Sequence, residues 1–331
     1  MLPFVTVIMP IRNEAEFITR SLGAVLAQDY PHDRLEALIA DGMSSDETRT
    51  LVQRLATDSD IPVRIVDNPG MIVPTGFNAA LAQARGEIIV RVDGHTLIAT
   101  DYVRNCVETL EATGADNVGG RMDAIAQATP SAEAIALATS SPFGVGGARF
   151  HYSTQQEYVD TVYMGAWPRR VFDQIGGFDE ELIRNQDDEF NYRLRAAGGK
   201  ILLNPRIESQ YYNRSTIRPL ARQYFQYGLF KVRILQKHPA QMRIRQFVPP
   251  LFVLALIGGA LLSPFSPLIT ALWKLILALY VTGNIVFSWR LARSAKQARW
   301  IQIAGVFLVL HLCYGSGFLA GLFKFWKRWL G

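Results

Sequence analysis

The stretch "NPGMIVPTGFNAALAQARGEIIVRVDGH" (residues 68–95) decides the fold. It opens on turn residues, passes through a helix-compatible segment with Pro74 at a first helical position, and runs as an apolar strand into Asp93-Gly94-His95. Working outward, the same alternation reaches back to the amino terminus: strand 4–9, helix 14–28, strand 36–40, helix 46–57, strand 63–67, helix 74–84, strand 87–93. Ser44 or Ser45, followed by Asp46 and Glu47, is expected to cap the second helix. This pattern predicts right-handed βαβ units, a parallel sheet with helices on both faces, and ligands at the carboxyl ends of the strands.

Those strand ends are polar. Arg12, Asn13 and Glu14 follow the first strand; Asp41, Gly42 and Ser44 the second; Asp67, Asn68 and Gly70 the third; Asp93 and His95 the fourth. Asp, Asn and Gly are ordinary turn residues, so one such exit is compatible with a plain turn. Four on one edge point to a site.

Charge divides the chain. Glu208 is the last acidic residue, so residues 1–208 hold all 29 acids and 18 bases, whereas residues 209–331 hold 16 bases and no acid. A basic, acid-free half suits nucleic acid or an anionic membrane, and its apolar runs decide for the membrane and against nucleic acid. The runs cover 247–265, 268–289 and 301–323, against about 20 apolar residues needed to cross a bilayer. Trp273, Trp289, Trp300, Trp326 and Trp329 lie at or near their ends, as interfacial anchors would. The start "MLPFVTVIMPIRNE" has no basic region or cleavage site and reads as a strand, not a signal peptide. Cys106 and Cys313 imply no disulfide framework, in keeping with a cytoplasmic catalytic half.

Between residues 113 and 208 the pattern loosens. "SSPFGVGGARF" (140–150) is either a mobile lid or a glycine-rich surface loop, "EYVDTVYMGAW" (157–167) reads as one strand, and "DDEFNYRLRAAGG" (187–199) as a helix with an acidic front. Residues 216–238 mix aromatics and bases at helical spacing, the pattern of a helix lying on a membrane surface. The expected domains are a catalytic α/β domain at 1–212, amphipathic interface helices at 213–246, and a membrane region at 247–331 with two to three spans. Arg290, Arg293, Lys296 and Arg299 predict a cytoplasmic loop between the second and third runs. The third run then either crosses, leaving Lys324, Lys327 and Arg328 outside, or folds back at "YGSG" (314–317).

"PIRNEAEFI", "ADGMSSDETRTLV", the 68–95 stretch, "GGFDEEL", "NQDDEFNYRLRAAG" and "QYFQYGLFKVR" together resemble the successive motifs of inverting family 2 glycosyltransferases of the GT-A fold. The resemblance covers about residues 3–240. Within the family, the DGH motif and short membrane tail are similar to exopolysaccharide glucosyltransferases of the succinoglycan type. It implies a GT-A, Rossmann-like mixed sheet, a nucleotide diphosphate sugar donor, a lipid-linked acceptor and a divalent cation.

Residue chemistry and resemblance assign roles together. Asp41 can accept hydrogen bonds from a uracil or ribose, and the matching aspartate of the family lies in the nucleotide pocket; otherwise it forms an ordinary Asx turn. Pro10, Arg12 and Glu14 are expected to line the same pocket, Glu14 toward the ribose by resemblance and Arg12 either on phosphate or an ordinary surface arginine, with Asn68 and Asn78 as further nucleotide-side candidates. Asp93 and His95 stand where the family has Asp-x-Asp. A cation there would bridge the donor phosphates, with carboxylates suiting Mg2+ and the imidazole shifting preference toward Mn2+; otherwise His95 only bonds phosphate. Aligned with the family's Glu-Asp pair, Gln186 replaces the glutamate and Asp187 becomes the general base, with Asp188 the next candidate. The bland reading of these acids is a helix front. Gly165, Ala166 and Trp167 resemble the acceptor wall, though Trp167 would serve equally in a core. Gln223 and Tyr227 stand near the processive Gln-x-x-Arg-Trp motif, but its arginine and tryptophan are missing, which implies one transfer per acceptor. The expected activity is transfer of a hexose, UDP-glucose being the favoured donor, to a lipid-linked glycan at the inner membrane. The alternatives are direct glycosylation of a polyprenyl phosphate or other lipid, a nucleotidyltransferase, and a non-catalytic nucleotide-sugar-binding membrane protein.

Overall fold

A computed structural model describes residues 2–125 and 128–329. The elements in chain order are β1 (Val5–Ile11), α1 (Ile18–Leu26), β2 (Leu35–Asp41), α2 (Thr48–Thr57), β3 (Val63–Asp67), α3 (Val73–Leu81), β4 (Ile88–Arg91), β5 (Thr96–Ile98), α4 (Tyr102–Thr113), β6 (Asn117–Ile125), α5 (Pro130–Thr139), α6 (Pro142–Val145), β7 (Glu157–Tyr158), β8 (Ala166–Pro168), α7 (Arg170–Ile175), α8 (Gln186–Ala196), β9 (Ile201–Tyr212), α9 (Ile217–Lys237), α10 (Ile244–Leu262), α11 (Pro267–Ala292) and α12 (Trp300–Lys324). The chain divides into two compact units, residues 1–124 with 148–212 and residues 125–147 with 213–331. Residues 125–147, expected in the catalytic domain, group instead with the C-terminal helices.

The first unit is a mixed sheet in the order β3-β2-β1-β4-β8-β6-β9-β5, with β7 on β9. β3, β2, β1 and β4 are parallel, and the pairing switches to antiparallel at β8. Residues of β1 alternate between faces, as a period of two requires. Val5, Val7, Met9 and Ile11 pack in one layer with Ile18, Leu22, Val52 and Val103, while Ile8 packs in the other with Phe77, Phe190 and Leu194. Helices therefore cover both faces, which explains why β1 and β2 are buried along their whole length. Register sets Asp41 opposite both Ile11 and Asp67, so the first three strands end together.

Three local expectations change. Asp46, rather than Ser44 or Ser45, serves the start of α2, accepting the Thr48 N–H at 3.0 Å. The single strand expected over 157–167 is two short strands, because Met164 and Gly165 take φ of 59° and 112° and break the extension. Gly165 is required there: a Cβ would lie 2.4 Å from the Trp167 ring. The "mobile lid" is anchored at α6, where the Phe143 ring stacks on Phe287 and meets Phe307 and His311 edge-on.

In the second unit α10, α11 and α12 are long and apolar enough to cross a membrane. α12 runs unbroken through 314–317, which overturns the fold-back. The glycines of "YGSGFLAG" serve close packing: a Cβ on Gly317 would sit 2.0 Å from the Phe225 carbonyl, and one on Gly228 2.0 Å from that of Tyr314. Thus α9 lies along α12, with Leu229, Val232 and Ile234 buried.

Candidate functional site

Parallel β1, β2 and β4 deliver their carboxyl ends to one edge of the sheet, and the start of α8 joins them there. The organising residue is Arg91, at the end of β4 and 3% exposed. A guanidinium so buried must be paired. Its Nε donates to Asp93 Oδ1 at 2.9 Å, and its Nη1 donates to Asp187, 96 residues further along the chain. Tyr163 donates to Asp93 Oδ2 at 3.3 Å. Two carboxylates thus share one buried cation. Burial pushes the Asp187 carboxyl up to about 6, an effect that Arg91 opposes and Asp93 reinforces. The side chain of Asp187 nonetheless keeps 32% of its exposure, so a hydroxyl can reach it. A carboxylate with a pKa near 6 and an open face can accept a proton during attack.

Beside this cluster, His95 Nδ1 lies 2.9 Å from Glu14 Oε1. Asp93, whose Oδ2 takes only the long Tyr163 contact, and His95, through Nε2, are then the side chains that would meet a cation. Among the described residues no group of three or more His, Cys, Asp and Glu side chains is arranged to hold a metal. This donor set fits a cation completed by substrate phosphates, the usual habit of Mg2+ and Mn2+, and not a closed protein cage.

At the next strand exit Asp41 is fully buried and accepts the Ser44 N–H at 3.1 Å. Arg49 Nη1 bridges Asp41 at 2.9 Å and Asp67 at 2.7 Å. Asn13, with φ 55°, accepts the Ser45 N–H, and its own N–H donates to Ser44 Oγ at 2.8 Å, locking the first exit to the second. Pro10 is buried in β1 and Arg12 is exposed at its end.

Other expected site residues are occupied elsewhere. Asn68 uses both ends of its amide inside its own loop, donating to Ile72 O at 2.9 Å and accepting from Thr75 Oγ1 at 2.7 Å. Asn78 ties α3 to the "GGFDEEL" turn through Phe178 N–H at 2.9 Å and Phe178 O at 2.8 Å. It lines a cavity of about 380 Å³ that shares no residue with the acidic cluster. Trp167 is no acceptor wall: it is 1% exposed and packed among Phe77, Phe172, Phe178 and Phe190. Ala166, fully buried between β4 and β6, and Gly165, packed under that ring, leave the acceptor side with it. Gln223 donates to Tyr227 at 2.8 Å on α9, in the second unit. Of the acids opening α8, Glu189 is buried on Arg193 at 2.6 Å and has a structural role, whereas Asp187 and Asp188 are half-buried.

Sequence reasoning missed Arg91, Tyr163 and Arg49. Only Arg91 carried a signal, a charge inside "IIVRVD", where a central strand tolerates one only with partners.

Known proteins supply the context. The family described as Glycosyl transferase family 2 matches residues 6–176. The chain is 30% identical over 326 residues to the succinoglycan biosynthesis protein ExoA of Rhizobium meliloti (strain 1021), covering 97% of this chain and 96% of that one. It is 27% identical over 328 residues to the dolichyl N-acetyl-alpha-D-glucosaminyl phosphate 3-beta-D-2,3-diacetamido-2,3-dideoxy-beta-D-glucuronosyltransferase of Methanococcus voltae, covering 97% and 98%. Among solved structures, the mannosyltransferase PcManGT from Pyrobaculum calidifontis, in complex with GDP-Man and Mn2+, has a TM-score of 0.63 at 21% identity, over 98% of this chain and 88% of that one. The architecture is therefore a GT-A-like domain followed by C-terminal helices, three of which are long and apolar enough to cross a membrane.

Proposed function

The chain belongs to glycosyl transferase family 2, and from that premise we propose that it moves a hexose, with inversion, from a nucleotide diphosphate sugar to a lipid-linked glycan during exopolysaccharide or cell-surface glycan synthesis. One observation carries the reading: Arg91 draws Asp93 and Asp187 together at the carboxyl edge of the parallel strands. Asp187 takes the proton of the acceptor hydroxyl as it attacks the anomeric carbon, and Asp188 is the second candidate. With one base and no carboxylate nucleophile, a single displacement inverts the centre. Asp41, Arg12 and Pro10 line the nucleotide side. Asp93 and His95 would hold a divalent cation, Mn2+ or Mg2+, which when bound offsets the charge of the leaving diphosphate.

UDP-glucose is the donor proposed, on the resemblance of the motifs to succinoglycan-type glucosyltransferases, while the similarity to a succinoglycan biosynthesis protein supports a role in exopolysaccharide synthesis. The name of the Methanococcus voltae relative specifies a dolichyl-linked sugar phosphate acceptor, which favours a lipid-linked sugar over a bare lipid. A cytoplasmic catalytic unit at the inner membrane is part of this proposal, supported by the basic loop at 290–299.

Membranes containing the protein, incubated with labelled nucleotide sugars with and without Mn2+, should pass one label into the lipid fraction. EDTA should abolish it. Equal labelling in EDTA would refute the metal reading, and transfer surviving in Asp187→Asn would refute the base.

A further inference from the structure

Glu14 was expected to face the ribose, yet the fold gives its carboxylate to His95. The placement is held from several sides. The Glu14 N–H donates to Thr48 Oγ1 at 2.8 Å, fixing the turn after β1. The rings of Phe17 and Tyr211 flank the imidazole edge-on, with centroids 6.4 and 5.0 Å away. Gly94 lies so close that a Cβ on it would sit 2.9 Å from Glu14 Cγ, and its carbonyl accepts the Ser21 hydroxyl at 2.6 Å. Phe17, just before α1, and Tyr211 of β9 therefore fix which way the imidazole of His95 turns, with its Nδ1 against Glu14.

We infer that Glu14 is a positioning residue for His95: by accepting the Nδ1–H it holds the tautomer whose Nε2 lone pair ligates the divalent cation. The inference rests on the reading of Asp93 and His95 as that cation's protein ligands. A carboxylate behind an imidazole fixes the tautomer and raises ligand basicity, and losing such a partner costs about 10- to 100-fold in metal affinity. It also accounts for a histidine in place of the usual carboxylate: Glu14 supplies the negative charge from one residue further out.

The test is Mn2+ binding by the full-length protein in detergent, measured by the electron paramagnetic resonance of free Mn2+ in the presence of UDP and, separately, GDP. Glu14→Gln should weaken Mn2+ binding about tenfold or more. His95→Asn should weaken it at least as much. The double variant should bind no worse than His95→Asn alone, because Glu14 acts only through His95. Unaltered Mn2+ affinity in Glu14→Gln, or additive losses in the double variant, would overturn the inference and return Glu14 to the ribose. If the unaltered protein binds no Mn2+, this inference and the metal reading both fall. If Mn2+ binding depends on Glu14 while no sugar is transferred, the inference stands and the proposed reaction falls. A thermal melt of each variant confirms that the fold is kept.

Discussion

Replacing Arg91 with methionine tests the centre of the site. The variant keeps most of the volume in β4 but leaves Asp93 and Asp187 without their shared cation. Removing one partner from a buried ion pair costs about 3–5 kcal/mol. Here the side chains of Asp93 and Asp187 keep 16% and 32% of their exposure, so water relieves part of the penalty and the lower end, about 3 kcal/mol, applies. For a unit of this size that is a fall in Tm of roughly 6–12 °C. The loss depends on pH with a definite sign. Asp187 already sits at about 6 in the fold against an ordinary 3.8, so the native state holds more protons than the unfolded chain between those values and stability falls as pH rises through them. Without Arg91 the folded value climbs further, and the gap between variant and parent should widen from pH 5 to pH 8. The assay is thermal unfolding in detergent followed by tryptophan fluorescence, since Trp167 is the one tryptophan of six within residues 1–212 and sits in its core. Arg91→Met with Asp187→Asn should recover stability relative to Arg91→Met alone. A single variant within 1 kcal/mol of the parent at pH 8, or a double variant no better than the single, would refute this account.

Asp187→Asn should lower transfer by about 10²- to 10⁴-fold while nucleotide binding, followed by calorimetry, is unchanged; in the parent the rate should rise as pH passes about 6, because the base works ionised. Glu36, fully buried, is pushed up by burial but pulled below its ordinary 4.5 by the Arg85 N–H, the Thr6 hydroxyl and the Arg85 guanidinium. Its contribution is present above that ordinary value and lost as pH falls through the folded one, so Glu36→Gln should lower stability at neutral pH and flatten its fall toward acid, read from melts between pH 3 and 7. Gly317→Leu drives a side chain into the Phe225 backbone and should cost at least the 1–3 kcal/mol typical of overpacking, whereas Gly305→Leu, with nothing within 4 Å of its Cβ, should melt like the parent.

What could be read from the chain was what is local. Alternating strands and helices set out β1 to β4, the polar strand exits singled out Asp41 and Asp93, and the acidic run of "NQDDEF" marked the front of α8. What failed depended on distant partners. Trp167 following Gly165 suggests a stacking platform, but four phenylalanines spread from residue 77 to 190 make it core. Arg91 looked like one more strand residue because its second carboxylate lies 96 positions away. "YGSG" suggested a turn because glycine's other use, letting two helix backbones touch, shows only when α9 is beside α12.

The grouping of residues 125–147 with the C-terminal helices has a practical consequence. Glu133 receives the N–H groups of Lys296, Gln297 and Ala298, and Phe143 nests among rings of α11 and α12. Cutting the chain after Tyr212 would therefore leave Phe143 without those rings and the Glu133 carboxylate without its amides, so a version lacking the C-terminal helices calls for trimming 125–147 as well as the tail.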